Sequence, residues 1–220
     1  MRFERGEMQK RAPSRAIELP HPWTDEQIAE IETQILAEKP RGSEPLYWED
    51  VNVGDEIPLV TKGPIGLSDE IAFIAAGAAP VPRIAAHGVA LGRYRKHPKW
   101  AFRDPVTHAL EPVYSVHYND YAARLQGAQA AYDVGIQRTC WGIHGLTNWM
   151  GDTGFLHKAS CKIRRHNPEG DMLFIKGKVV RKYVQDGKSM VDIEQVAHNQ
   201  DDELSVIGGG TIILLSLIHI

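Results

Sequence analysis

The strongest constraint in this sequence is a change of period. Over residues 135–151 the chain carries few charges and is apolar on most sides, with Trp141, Ile143, Leu146, Trp149 and Met150 in the run. A helix of that character is a buried one. Beyond it come strand-like runs at about 156–166, 171–184, 189–198 and 203–215. The turn sequences Asn167-Pro168-Glu169-Gly170, Gln185-Asp186-Gly187-Lys188 and Asn199-Gln200-Asp201-Asp202 separate them at hairpin spacing. Four sequential strands after one buried helix predict an α+β fold, with an antiparallel meander packed on that helix.

The rest of the chain adds an extension and an irregular stretch. Residues 1–23 read as a loose polar arm. Thr24-Asp25-Glu26-Gln27 is a capping-box pattern, and Ile28, Ile31 and Ile35 follow at helical spacing to about Ala37. Pro40, Gly42 and Pro45 end that helix, which is expected to pack at a solvent edge. Residues 1–45 are thus an N-terminal arm and helix, and 46–216 a single domain. Val53-Gly54-Asp55-Glu56-Ile57 opens a strand. Ser68 is placed to cap a short helix from Asp69 to Ala76, stopped by Gly77. Residues 78–115, rich in Pro, Gly and Arg, read as an inserted loop region with some helix over 85–95.

Composition narrows the class. The 220 residues are 43% hydrophobic and 24% charged, enough for a sizeable core. The formal net charge of -3 gives no global attraction to nucleic acid or to an anionic membrane. No run approaches the roughly 20 apolar residues that span a bilayer. Cys140 and Cys161 sit in no metal-binding spacing, which points to reduced thiols in a cytoplasmic protein. Cys140 reads as a small core residue. The apolar stretch 211–220 reads as a buried strand with a tail.

Two segments carry a family resemblance. The first is Leu46-Tyr47-Trp48-Glu49-Asp50-Val51 through Gly54-Asp55-Glu56-Ile57, followed by Ser68-Asp69-Glu70-Ile71 up to Gly77. The second begins at His117, with Ala123 six, Gly127 ten and Gly135 eighteen residues later. Over roughly three quarters of its length, from Leu46 to about Leu215, the chain resembles the MaoC-like acyl-CoA dehydratases and (R)-specific enoyl-CoA hydratases. The stretches Tyr132-Asp133-Val134-Gly135 and Trp149-Met150-Gly151-Asp152 look like the FAS1-like dehydratase branch. The resemblance implies a hot-dog fold, an antiparallel sheet wrapped around a central helix.

It also implies a chemistry. Adding water across a 2-enoyl thioester needs a base for the water, an acid for the α-carbon, and donors for charge on the thioester oxygen. By resemblance, His117 is the general acid/base and Gly135, at a helix N-terminus, supplies an oxyanion-hole N–H. The family motif places an Asp five residues before its His, with Asn-Pro between; here that position is Pro112. The nearby carboxylates are Asp120 and Asp133, ranked above Glu111. The coenzyme A thioester is the substrate, with no further cofactor and no metal. Paired hot-dog units are implied, as a homodimer or a heteromer with another hot-dog subunit. Two other readings stay open: a non-catalytic subunit that binds acyl-CoA for a partner chain, and an acyl-CoA thioesterase.

Three further patterns have alternatives. Gln137, Trp141, His144, Asn148 and Asp152 share one helical stripe, either an internal or interface network or a substrate-facing wall that includes Gln137 and Asn148. Arg93, Arg95 and Lys96 beside Tyr94 and Trp100 read as a solvated loop or as a coenzyme A grip. Arg138, a cation near a helix start, is expected to be paired, with Asp133 the nearest carboxylate. Gly208-Gly209-Gly210 suggests a bulge or close packing.

Overall fold

The computed structural model describes residues 19–78 and 88–219. In chain order the helices are α1 (Asp25–Leu36), α2 (Leu67–Phe73), α3 (Gly88–Lys96), α4 (Asp120–Leu125) and α5 (Gly135–Met150). The strands are β1 (Glu56–Lys62), β2 (Ala101–Arg103), β3 (Leu110–Pro112), β4 (Phe155–Ile163), β5 (Leu173–Gln185), β6 (Lys188–His198) and β7 (Leu204–Ile213). The elements form two units. One gathers the described parts of Met1–His21 and Ile65–Val134 with Pro168–Gly170; the other holds Pro22–Pro64, Gly135–Asn167 and Asp171–Ile220.

The second unit is an antiparallel sheet of order β1-β5-β6-β7-β4 with α5 packed against it. The four late strands lie where the hairpin spacing placed them, each within a few residues. Leu146, Trp149 and Met150 of α5 pack with Ile57, Val179, Val191, Ile193 and Ile212 of the sheet. Burying each side chain of that size stabilises the fold by roughly 1.5–3 kcal/mol before entropic costs. Gly208, Gly209 and Gly210 keep continuous register with both neighbours, so they serve close packing; the bulge between β4 and β7 lies at Leu156/Lys158 instead. A Cβ at Gly210 would stand 2.8 Å from Leu146 Cδ1.

From Pro22 onward the extension belongs to this unit. Thr24 caps α1 as its sequence announces: its hydroxyl accepts from Gln27 N–H at 3.3 Å, and its own N–H donates to Gln27 Oε1 at 2.9 Å. Thr24→Ala should cost about 1 kcal/mol, read as a lower denaturant midpoint with an unchanged slope. After α1 the chain crosses the end of α5. Arg41 Nε donates to the Trp149 carbonyl at 2.8 Å, and Arg41 N–H to the Asn148 carbonyl at 3.0 Å. A cation there complements the negative end of the helix dipole. Gly151, at φ 68°, turns the chain out of the helix.

The apolar C-terminal run splits. β7 ends at Ile213, and residues Leu217–His219 form a 3-10 turn. Glu49 fastens that turn: its carboxylate accepts from Ser216 Oγ at 2.5 Å and from Leu217 N–H at 3.1 Å. The Ser216 bond, chiefly, holds the Glu49 carboxyl below its ordinary range. A depressed folded pKa means the fastening is complete above the unfolded value, about 4.3, and is lost as pH falls through the lower folded value. Exchange of the Leu217 amide should accelerate across that acidic window, and Glu49→Gln should abolish the step.

Three local expectations are corrected. α2 begins at Leu67 with Gly66 as its N-cap, so Ser68 lies inside the helix; Asp69 reaches back to accept from Gly66 N–H at 3.0 Å. After Phe73 the backbone widens into a π-turn over Ile74–Ala78, with Gly77 at φ 113°. Cys140 is exposed because α5 turns that face away from the sheet. The helix expected over 85–95 is α3; its first three residues, and the arm up to residue 18, lie outside the described residues.

Candidate functional site

In the first unit, the candidate chemistry collects around His117. That residue ends a 3-10 turn, Val113–His117, and Asn119 then caps α4 by accepting from Ala122 N–H at 3.2 Å. Val116, Ala122 and Ala123 form the small core beneath it, with Phe102 and Tyr132 packed on. His117 Nδ1 lies 2.8 Å from the Tyr132 carbonyl, and the two rings meet edge to face at 5.0 Å. A carbonyl oxygen only accepts, so this contact requires the proton on Nδ1. The neutral ring then carries its basic lone pair on Nε2.

The acceptor is itself held. Glu70, 2% exposed on α2, accepts from Val134 N–H at 3.0 Å, two residues beyond Tyr132. Tyr132 also bridges Pro168. His117 is therefore oriented by a fixed backbone carbonyl. Asp120 sits at the start of α4, where it accepts from Ala131 N–H at 2.8 Å and pairs with exposed Arg124 at 3.1 Å. Asp133 is fully buried on the segment that leads from Tyr132.

A group of phenols stands beside this arrangement. Burial pushes the Tyr118 hydroxyl up to about 12, helped by the negative charge of Glu111 and by Tyr94. Burial also raises Tyr94, with Glu111 adding to it and a hydrogen bond with Tyr114 opposing it. Tyr118 is thus a neutral O–H donor at any physiological pH. Sequence reading assigned no role to Tyr118 or Glu70, and set Tyr94 only beside the basic residues of α3. Glu70 had one legible signal, a carboxylate on the inward side of a short helix. The side chains of Arg93, Arg95 and Lys96 project from the last turn of α3 into solvent around buried Tyr94.

In the second unit, Gly135 opens α5. First-turn N–H groups have no intrahelical partner and lie at the positive end of the dipole. A Cβ at Gly135 would stand 2.6 Å from Ile163 Cδ1, so packing also favours glycine here. Arg138, 2% exposed, donates to the Arg165 carbonyl at 2.6 Å and to Ser205 Oγ at 3.0 Å; Ser205 in turn donates to Asn167 Oδ1 at 2.7 Å. That network compensates a cation set against the helix dipole. Gln137 is 5% exposed. Asn148 bonds His144 at 2.9 Å, and burial, aided by Lys62, holds that imidazole below its ordinary pKa.

Between α5 and the sheet runs a groove of about 380 Å³, counting space open to solvent. Its walls include Ile143, Leu146, Leu173, Ile175, Ala197 and Val206. The groove follows α5 from Arg138 to Leu146, so its length lies along the helix that Gly135 begins.

Comparison with solved structures fixes the architecture. The (R)-hydratase PhaJ1 from Pseudomonas aeruginosa superposes with a TM-score of 0.56 at 15% identity, over 78% of this chain and 87% of that one. The chain has the hot-dog fold. Hot-dog neighbours also include a MaoC-like dehydratase from Rhodospirillum rubrum, with TM-score 0.54 and 14% identity over 78% of this chain and 97% of that one. A third is the HadBC (3R-hydroxyacyl-ACP dehydratase) complex from Mycobacterium tuberculosis, at 0.50 and 12% over 74% and 98%. By sequence, no family model matches the hot-dog chain, and neither does any curated protein. Among the described residues, no helix is long and apolar enough to cross a membrane.

Proposed function

We propose that the protein is a hydro-lyase that interconverts a 2-enoyl-CoA and a 3-hydroxyacyl-CoA. The observation that carries this reading is the Nδ1 contact of His117 with the Tyr132 carbonyl, which poises Nε2 as a base. Water loses a proton to Nε2 as its oxygen bonds to the β-carbon. The π electrons move toward the thioester, and the α-carbon then takes a proton, which balances the one left on Nε2 once the imidazolium gives it up and the neutral ring is restored. The N–H of Gly135 is the donor assigned to the thioester oxygen. Asp120 and Asp133 remain the carboxylates assigned to proton transfer, and Tyr118 joins them as a protonated donor. Gln137 and Asn148 are assigned to substrate contact, and Arg93, Arg95 and Lys96 to coenzyme A phosphates. The (R)-hydratase and the dehydratases among the structural neighbours support the reaction class.

The test is turnover of trans-2-enoyl-CoA substrates of graded length, followed by loss of the conjugated thioester absorbance. Pro112, at the position of the motif Asp, favours a second reading: a subunit that binds acyl-CoA while a partner hot-dog chain completes catalysis. The HadBC neighbour is itself a complex. Inactivity of the purified chain, reversed by a co-purifying subunit, would select this reading. Release of free thiol from a saturated acyl-CoA would select thioester hydrolysis.

A further inference from the structure

Gln195 breaks the chemistry of the groove it lines. It lies on β6 at the same parity as Val191, Ile193 and Ala197, all buried toward α5. The residue is 6% exposed, and no hydrogen bond of its carboxamide occurs among the described residues. Its amide reaches the groove wall, where a Cβ at Gly145 would stand 3.1 Å from Nε2 and one at Gly142 would stand 3.6 Å from Oε1. Glycine inside a helix is unfavourable relative to alanine. Here two of them clear space where the amide lies. The two polar atoms of this carboxamide stay open to the groove, whose apolar walls beside them leave its hydrogen bonds to whatever enters.

We infer that the groove takes an acyl chain bearing a hydroxyl or keto oxygen remote from the thioester, and that Gln195 binds this oxygen. The inference rests on the acyl-thioester reading above. The amide has both a donor and an acceptor, so it serves a hydroxyl or a carbonyl equally. Gly142 and Gly145 lie seven and ten residues beyond Gly135. At the helical rise that is roughly 10–15 Å along α5, well past the reacting carbons. A plain hydrocarbon chain would displace any water on Gln195 and replace none of its hydrogen bonds. Sites built to bond a substrate oxygen discriminate strongly against analogues that lack it.

The experiment uses the full chain and pairs of unreactive saturated acyl-CoAs, matched in length, with and without a hydroxyl near the far end. Calorimetric titration should show the oxygenated member binding at least about tenfold tighter. Gln195→Leu should erase or invert that preference, and Gln195→Met provides a second, unbranched replacement should the first fail to fold. Equal affinity of the wild-type protein for both members across the series would overturn the inference while leaving the thioester reading intact. So would a preference that persists in both variants. Failure of every acyl-CoA to bind would overturn the thioester reading and this inference with it.

Discussion

Replacing His117 by alanine is expected to lower kcat/KM for enoyl-CoA hydration by about 10²- to 10⁴-fold, the usual contribution of a positioned acid/base group. The fold should survive, because His117 is only half-buried and its bond to the Tyr132 carbonyl fastens a turn. Far-UV circular dichroism and the thermal midpoint should therefore stay near those of the wild type while turnover collapses. Wild-type turnover in this variant would remove His117 from the mechanism. Glu70→Gln offers a graded companion. The amide still accepts from Val134, so a smaller loss is expected there than with Glu70→Ala, which releases the segment holding the Tyr132 carbonyl.

Gly135→Ala should separate chemistry from packing. The new methyl meets the end of the Ile163 side chain, which is 42% exposed and free to swing outward. Stability should change by less than about 1 kcal/mol, since alanine also improves helix propensity. Activity should fall by about 10²-fold or more, because the Cβ stands where the thioester must approach the first-turn N–H groups. The double variant Gly135→Ala/Ile163→Ala removes the packing conflict. Low activity that persists in it supports close backbone approach; recovery to wild-type turnover would assign Gly135 to packing alone.

The sheet and the central helix were legible because their signals are long. Sixteen residues of α5 and strands of nine to thirteen residues leave clear periods, and the turn residues between them are unmistakable. The small unit around His117 was not legible in the same way. β2 and β3 have three residues each and α4 has six, too few for a period to emerge. The group that orients His117 is a backbone carbonyl fifteen residues away, and any residue type supplies a carbonyl. Arg138 was expected to need a partner, and among those it finds are a carbonyl and a serine hydroxyl, which leave no charge pattern to read. Cys140 was misjudged because a helix apolar on most sides conceals which side faces water. Gln195 was within reach: its parity with Val191, Ile193 and Ala197 already turned it inward.

The clasp of Arg41 on the end of α5 bears on the order in which the chain assembles. α1 has its own capping box, so its first turn draws only on residues a few positions apart. α1 itself packs on β1, and it is the Arg41 clasp beyond it that spans 108 positions to Trp149. A growing chain therefore presents Arg41 long before the end of α5 exists. Contacts of such long range slow folding more than they add to stability. Arg41 is made early and seated late, after the helix whose end it covers has been completed.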